Sequence, residues 1–396
     1  MDLKARIRRR QRSGDESRIV LEYDAISPVA HVEEPTNRGP VLERLLDYLA
    51  PVFDEALPPN AYVWGPAGAG KSAVVTALFA HLSRLFARSG SVIHTTTRAQ
   101  TGHAPKFVYV DARRADSSFG LYHAVLDAVQ DDPVPKQGVG TDVLRSRLVD
   151  YLRPARRSAV VAVDHIDEPG GLDLATVRET FAVADDSLSW VTVGRTPPSE
   201  VPDGVAPPEH IEVPAYEDHA LVDILTTRVS EGLARQVVEH EQMRRLASWA
   251  EGDAHDALSG LFGAADVAMA SDHDRIYERD LEAGMESVPR PSVAVGRVLT
   301  LPENRQRVLR RLLDLDDESV RSVGAATEAI AASPAVDLSE ATVKRFLYEL
   351  AEEGIVERVE TTEPTNGVGR PPSRIEPLFP TLVFRRLYDR QHDGQD

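Results

Sequence analysis

Apolar residues recur along this chain at two different periods. Behind Pro40, which sits in a favoured first-turn position, Val41, Leu42, Leu45, Leu46 and Leu49 fall on one helical face. Short apolar runs then read as strands over residues 61–64, 107–110, 158–163 and 188–193. Helical patterns stand between and after them, at 71–87, 119–129, 143–152 and 174–184. Strands that alternate with helices imply a parallel sheet covered on both faces. The proline-rich stretch from Pro197 to Pro214 marks a boundary. Residues 218–285 carry four helical patterns and no strand, and Pro289 and Pro291 mark a second boundary. The remainder reads as three helices and then two short strands around a Gly/Pro-rich tip. The pattern divides the chain into an arm (1–18), an α/β base (19–205), an all-α segment (206–288) and a C-terminal domain (289–396).

Composition limits the chemistry. There is no cysteine among the 396 residues, which excludes disulfides, thiolate zinc sites and a cysteine nucleophile. The twelve histidines form no H-E-x-x-H pattern, and no Gly-x-Ser-x-Gly elbow is present. No apolar run approaches the roughly 18 residues of a membrane span, and none follows the basic N-terminus as in a secretory signal. A cytoplasmic protein with no membrane partner is expected. Acidic residues outnumber Lys and Arg 63 to 45, a net charge of −18. Only five of those cations are lysines: Lys4, Lys71, Lys106, Lys136 and Lys344. An acidic, lysine-poor surface suits molar internal salt, where the Debye length is about 3 Å, and points to a haloarchaeal host. At that ionic strength local patches outweigh net charge, so a nucleic-acid partner stays open. The arm holds Lys4, Arg6, Arg8, Arg9, Arg10, Arg12 and Arg18 with few apolar residues, and reads as flexible and basic.

One motif carries explicit chemistry. Gly65-Pro66-Ala67-Gly68-Ala69-Gly70-Lys71-Ser72 fits G-x-x-x-x-G-K-[ST], with a strand before it and a helix after it. Glycines let backbone N–H groups turn inward around phosphate oxygens, and the following helix aims its positive end at the same place. Lys71 is expected on the β/γ phosphates and Ser72 on Mg²⁺. Val160-Val161-Ala162-Val163-Asp164 supplies a carboxylate at the end of a buried strand, the second expected Mg²⁺ ligand. The implied cofactors are ATP or ADP with Mg²⁺.

With these residues in place, the chain resembles the archaeal origin-recognition and cell-division-control initiators, a family of AAA+ ATPases. The resemblance rests on Glu34-Pro35-Thr36-Asn37-Arg38, the phosphate loop, Asp164-His165-Ile166-Asp167, Val213-Pro214-Ala215-Tyr216, Ile224-Leu225-Thr226-Thr227-Arg228 and Gly252-Asp253-Ala254-His255. It implies an AAA+ P-loop base with a parallel sheet, an all-α lid and a C-terminal winged helix. It further implies that Tyr216 and Arg228 flank the nucleotide. It also implies a chain that is monomeric in solution, assembles on double-stranded DNA at origins and helps load a replicative helicase.

Four positions depart from the family pattern. His165 stands where the resemblance places a water-orienting glutamate. The fourth strand runs into Gly194 and Arg195 where a sensor asparagine is usual. His255 replaces the lid arginine, and residues 196–213 contain no arginine to serve as a finger. Groups of this kind orient water or stabilise γ-phosphate charge, and losing one finger-type contact costs roughly 10³–10⁵ in rate. Nucleotide binding with slow or absent hydrolysis is therefore expected, and no catalytic residue is assigned with His165 at the usual glutamate position.

At the C-terminal end Ser339 is suited to cap a helix on which Val343, Phe346, Leu347 and Leu350 face one way. Thr342, Lys344, Arg345 and Tyr348 face the other way and are the expected major-groove contacts. Arg370 and Arg374 in the Gly/Pro-rich wing suit a minor groove. The resemblance adds Lys136, before a helix carrying Arg145 and Arg147, as a contact from the base. Residues 297–396 hold 14 basic and 18 acidic side chains, so patches and not net charge must carry binding. Two readings compete with an origin-binding initiator. One is a divergent paralogue regulating transcription or a mobile element, and the other is a P-loop ATPase remodelling a protein partner.

Overall fold

The computed structural model describes residues 19–90, 104–154, 157–360 and 373–392. They form two compact units, one of residues 31–215 and one combining the described residues before and after that range. A short helix, α1 (Tyr23–Ile26), belongs to the second unit. The first unit contains α2 (Gly39–Leu49), β1 (Ala61–Trp64), α3 (Lys71–Gly90), β2 (Lys106–Asp111), α4 (Ser118–Val129), α5 (Thr141–Leu152), β3 (Ala159–Asp164), α6 (Leu174–Phe181), β4 (Leu188–Gly194) and β5 (Glu209–Glu212). The sheet order is β2-β3-β4-β1-β5, with every pairing parallel. Strands β3 and β4 are buried along their whole lengths, which is why β3 reads as an apolar run up to Asp164 and β4, with its buried Ser189 and Thr192, shows no polar outward face. Alternate residues of β3 feed two cores: Val161 and Val163 pack with α4 and α6, while Val160 and Ala162 pack under α3.

Two expected boundaries move. The proline-rich stretch 197–214 was expected to mark the end of the base at 205, yet it contains β5, whose Ile211 alone is buried. A four-residue edge strand with one core residue leaves no period to read, so the α/β unit runs to residue 215 and not 205. Residues 19–30 were expected in the base. They pack instead with the helices, because Ile19, Val20 and Ile26 bury in that core and Val20 bridges to Leu233.

The second unit continues with α7 (Asp218–Gly232), α8 (His240–Ala250), α9 (Ala254–Ala270) and α10 (Glu278–Glu286). A Cβ on Gly284 would lie 2.4 Å from the Gly260 carbonyl oxygen, so α9 and α10 approach to a distance only glycine permits. Next come α11 (Val295–Leu299), α12 (Glu303–Leu312), α13 (Asp317–Val320), α14 (Val323–Ala331) and α15 (Glu340–Glu352). Strands β6 (Val356–Glu360) and β7 (Ser373–Pro377) pair antiparallel, and α16 (Thr381–His392) closes the chain. The three longer helices, α12, α14 and α15, and then the ribbon follow one another in the order expected of a winged helix. One continuous core joins the lid helices to this C-terminal region: Leu258 and Phe262 of α9 share it with Val308, Leu347 and Phe384. Among the described residues no helix is long and apolar enough to cross a membrane.

Candidate nucleotide site and nucleic-acid interface

Strand β1 ends inside the sheet and Gly65 opens the loop. Its φ is +153°, and a Cβ there would lie 2.1 Å from the Val213 carbonyl oxygen, so no side chain is admitted. Gly68 and Gly70 adopt φ of +62° and +77°, which glycine takes without steric cost. The loop, completed by Pro66, Ala67 and Ala69, feeds straight into α3. The Lys71 side chain is buried at the first helical position, and its Nζ donates to the carbonyls of Gly65 at 2.8 Å and Pro66 at 2.7 Å. A buried arginine outside the motif braces the same loop. Arg38 donates from Nε to the Ala69 carbonyl at 3.0 Å and from a terminal nitrogen to the Pro214 carbonyl at 2.8 Å.

Asp164 closes β3 and is buried. It accepts from the Tyr109 hydroxyl and from the His165 N–H, each at 2.7 Å, and from the Ser72 hydroxyl. Burial by itself pushes this carboxyl up, but neighbouring His165 and the three donors outweigh it and hold Asp164 below its ordinary value. An ionised, buried carboxylate beside a hydroxyl at a helix start is a hard oxygen donor set, and it fits Mg²⁺.

The chain leaves β3 through a strained turn in which His165 and Asp167 have φ of +63° and +65°. The turn aims Asp167 at the end of β4, where its Oδ2 accepts from the N–H groups of Arg195 and Thr196 and from the Thr196 hydroxyl, each at 2.8 Å. It also brings Glu168 to Arg113, which follows β2. The guanidinium donates to both carboxylate oxygens, at 2.9 and 2.7 Å, and both side chains are buried. Arg195 approaches the same carboxylate at 3.5 Å. Burial alone would raise Glu168; the bonds and charge of Arg113, then His165 and Arg195, hold it below the usual range. The His165 ring lies between two carboxylates, with Nε2 3.7 Å from Asp164 and Nδ1 3.8 Å from Glu168.

Tyr216 and Arg228 lie in the other unit. Tyr216 is buried, and its N–H donates to the Gly252 carbonyl at 3.1 Å. Arg228 is buried on α7 and donates to the carbonyls of Ala25 at 3.0 Å and Ala30 at 2.6 Å, ordering the segment behind α1. Burial lowers its pKa, with Glu231 opposing.

On α15 the Ser339 Oγ accepts from the Thr342 N–H at 3.3 Å. Val343, Leu347 and Leu350 are buried, Lys344 and Arg345 exposed, and Thr342 and Tyr348 half-buried. Gly354, at φ +68°, ends the helix. Arg345 lies 3.7 Å from Glu349. Arg358 of β6 was not anticipated. It lies over the Tyr348 ring at 4.8 Å and donates to the Ser373 hydroxyl at 3.3 Å, tying ribbon to helix. Arg374 pairs with Glu376 on β7. Arg370 and the arm lie outside the described residues. Lys136 is exposed between α4 and α5 and Arg145 is exposed on α5, whereas Arg147 donates to Gln130 at 2.9 Å.

Residues 34–192 match the model of the AAA ATPase domain. The chain is 28% identical over 296 residues to ORC1-type DNA replication protein 1 of Aeropyrum pernix, covering 71% of each chain. It is 24% identical over 378 residues to ORC1-type DNA replication protein 11 of Haloarcula marismortui, covering 89% of this chain and 87% of the relative. The chain is a homologue of the ORC1-type DNA replication proteins. The solved structure of the Aeropyrum pernix ORC1 protein in complex with DNA superposes with a TM-score of 0.61 at 24% identity, covering 95% of this chain and 98% of that one. Together with the match to the AAA ATPase domain, this shows the fold as that of an AAA+ P-loop ATPase. The positions at the ends of β3 and β4 that the resemblance singles out have a local geometry of their own. A Cβ on Gly194 would lie 2.7 Å from the Tyr62 hydroxyl and 2.9 Å from Asp167, so that position stays bare. The neighbouring Arg195 side chain turns to Glu168 instead.

Proposed function

We propose that this protein binds ATP·Mg²⁺ on the loop of residues 65–72 and duplex DNA through its C-terminal region, acting as an initiator-type protein at origins with hydrolysis slow or absent. The observation that carries the nucleotide half is the loop itself: three glycines in positive-φ conformations, buried Lys71 at the first turn of α3, and Ser72 on the buried carboxylate of Asp164. Lys71 and the loop N–H groups would hold the phosphates, and Ser72 and Asp164 the Mg²⁺, which supplies charge neutralisation when bound. The slow step follows from His165. Its ring stands between Asp164 and Glu168, at 3.7 and 3.8 Å, where the resemblance places a water-orienting glutamate, so no carboxylate from that position reaches the attacking water.

Binding and turnover are measured separately in high-salt buffer. Wild type is expected to bind ATP, Lys71→Ala to lose at least tenfold in affinity, and single-turnover hydrolysis to fall well below the roughly 1 s⁻¹ at the low end of ordinary enzymes. Tight ATP binding that survives Lys71→Ala would refute the loop assignment, and turnover at an ordinary rate would refute the His165 argument. The His165 substitution also favours the second reading, a paralogue that keeps nucleotide as a structural ligand while regulating transcription or a mobile element. Chromatin immunoprecipitation separates the two, since an initiator must be enriched at origins. A helicase partner and assembly on DNA belong to the first reading alone.

A further inference from the structure

We propose that His255 is a positioning residue that fixes the lid to the recognition helix, so that the placement of α15 is set from the first turn of α9. This rests on the reading of the C-terminal region as the DNA-binding end.

Val295, fully buried, opens α11 and has no partner for its N–H within that helix. It donates instead to Nε2 of His255 at 3.1 Å, across from the second residue of α9. An imidazole that accepts on Nε2 carries its proton on Nδ1, and Nδ1 lies 3.5 Å from Asp256 Oδ1. The tautomer also settles a competing possibility. Asp253, His255 and Asp256 bring three ligand-capable atoms within 4.8 Å of one another, but a ring bonded at both nitrogens has no lone pair left for a cation. The trio is a hydrogen-bonded joint and not a metal centre.

From α11 the contact continues to α15. Arg297 of α11 donates to the Glu353 carbonyl at 2.8 Å, at the C-terminal cap of α15, where a cation also complements the helix dipole. Arg305 of α12 grips the same end, bonding Glu353 at 2.7 Å and Glu349 at 2.6 Å. Helix α11 thus lies between His255 on one side and the last turn of α15 on the other. Val293 just before it is tied to the ribbon side through the Leu378 carbonyl at 2.6 Å. Losing the His255 acceptor leaves a buried N–H unsatisfied at the point where α11 is held.

The test uses the full chain, a fluorescent mixed-sequence duplex and ATP. His255→Ala is expected to speed amide exchange across residues 295–299 about tenfold. It is expected to weaken duplex binding severalfold with the slope of log affinity against log salt unchanged, because no phosphate contact is removed. ATP affinity should stay within about twofold. His255→Gln, whose amide oxygen can accept from the Val295 N–H, should restore both exchange protection and duplex affinity. Unchanged exchange in α11, or a loss of ATP affinity with duplex binding intact, overturns the proposal. A wild-type chain that binds no duplex overturns the underlying DNA-binding reading, and the positioning role with it, whatever α11 does.

Discussion

The bidentate pair between Arg113 and Glu168 is the strongest charge contact around the candidate nucleotide site. Removing one partner of such a buried pair strands the other, at a cost of about 3–5 kcal/mol, whereas replacing both with apolar residues of similar volume is often neutral. Arg113→Ala is therefore expected to be strongly destabilising in denaturant melts, and Arg113→Met with Glu168→Leu far less so. The pH dependence follows from the sign of the shift. Glu168 titrates lower in the folded chain than in the unfolded one. Its contribution is thus complete above the ordinary glutamate value of about 4.3 and is lost as pH falls through the lower folded value. A Glu168→Gln variant should be less stable at neutral pH and show a shallower loss of stability in acid. Neither residue was legible as a site residue. The phosphate loop announces itself because its chemistry needs neighbours in sequence, but Arg113 and Glu168 stand 55 residues apart and meet only because β2 and β3 are adjacent. Arg38 stands out in the sequence only through the family resemblance, and nothing in its spacing points to the Ala69 carbonyl.

Among the elements, legibility followed burial. The fully buried strands β3 and β4, predominantly apolar, and the amphipathic α15 stand out in the sequence. The edge strand β5 does not, and α16, directly behind Pro380, was not anticipated although Val383, Phe384 and Leu387 are buried. On α15 the exposed cations give a prediction specific to this helix. Replacing Lys344 or Arg345 with Ala should weaken duplex binding nearly uniformly across sequences and reduce the salt slope by about one each. Replacing Tyr348 should act differently, since its ring supports Arg358, and should leave the salt slope nearly unchanged. Titrations at several KCl concentrations separate the two kinds of contact. A Lys344→Ala chain with an unaltered slope would remove this face from the interface.

Across the whole molecule, the lid and the C-terminal region share one apolar core, and α16 is its seam. Phe384 is fully buried there against Phe379 and Tyr388, and Arg386 reaches Asp266 of α9, which also accepts from Tyr23 at 3.1 Å. Burial, more than the Asp266 charge, pushes the Tyr23 hydroxyl up to about 12, so it stays a donor at any physiological pH. Phe384→Ala should cost about 3–5 kcal/mol. Hydrogen exchange should report the loss in α9 as well as in α15, because the two draw on the same core. Exchange that rises in α15 alone would mean that the two regions unfold independently.

The contact of Gly65 with Val213, read together with Arg38, has a mechanical consequence. The Val213 carbonyl presses on the first residue of the phosphate loop, and the Pro214 carbonyl is tethered through one guanidinium to Ala69 near its far end. The exit of the sheet's last strand therefore lies close against one margin of the loop and is hydrogen-bonded through Arg38 to the other. Whatever settles between Gly65 and Ala69 and nudges their backbone must tug the chain at residues 213–214, a bare two steps before the helical unit begins.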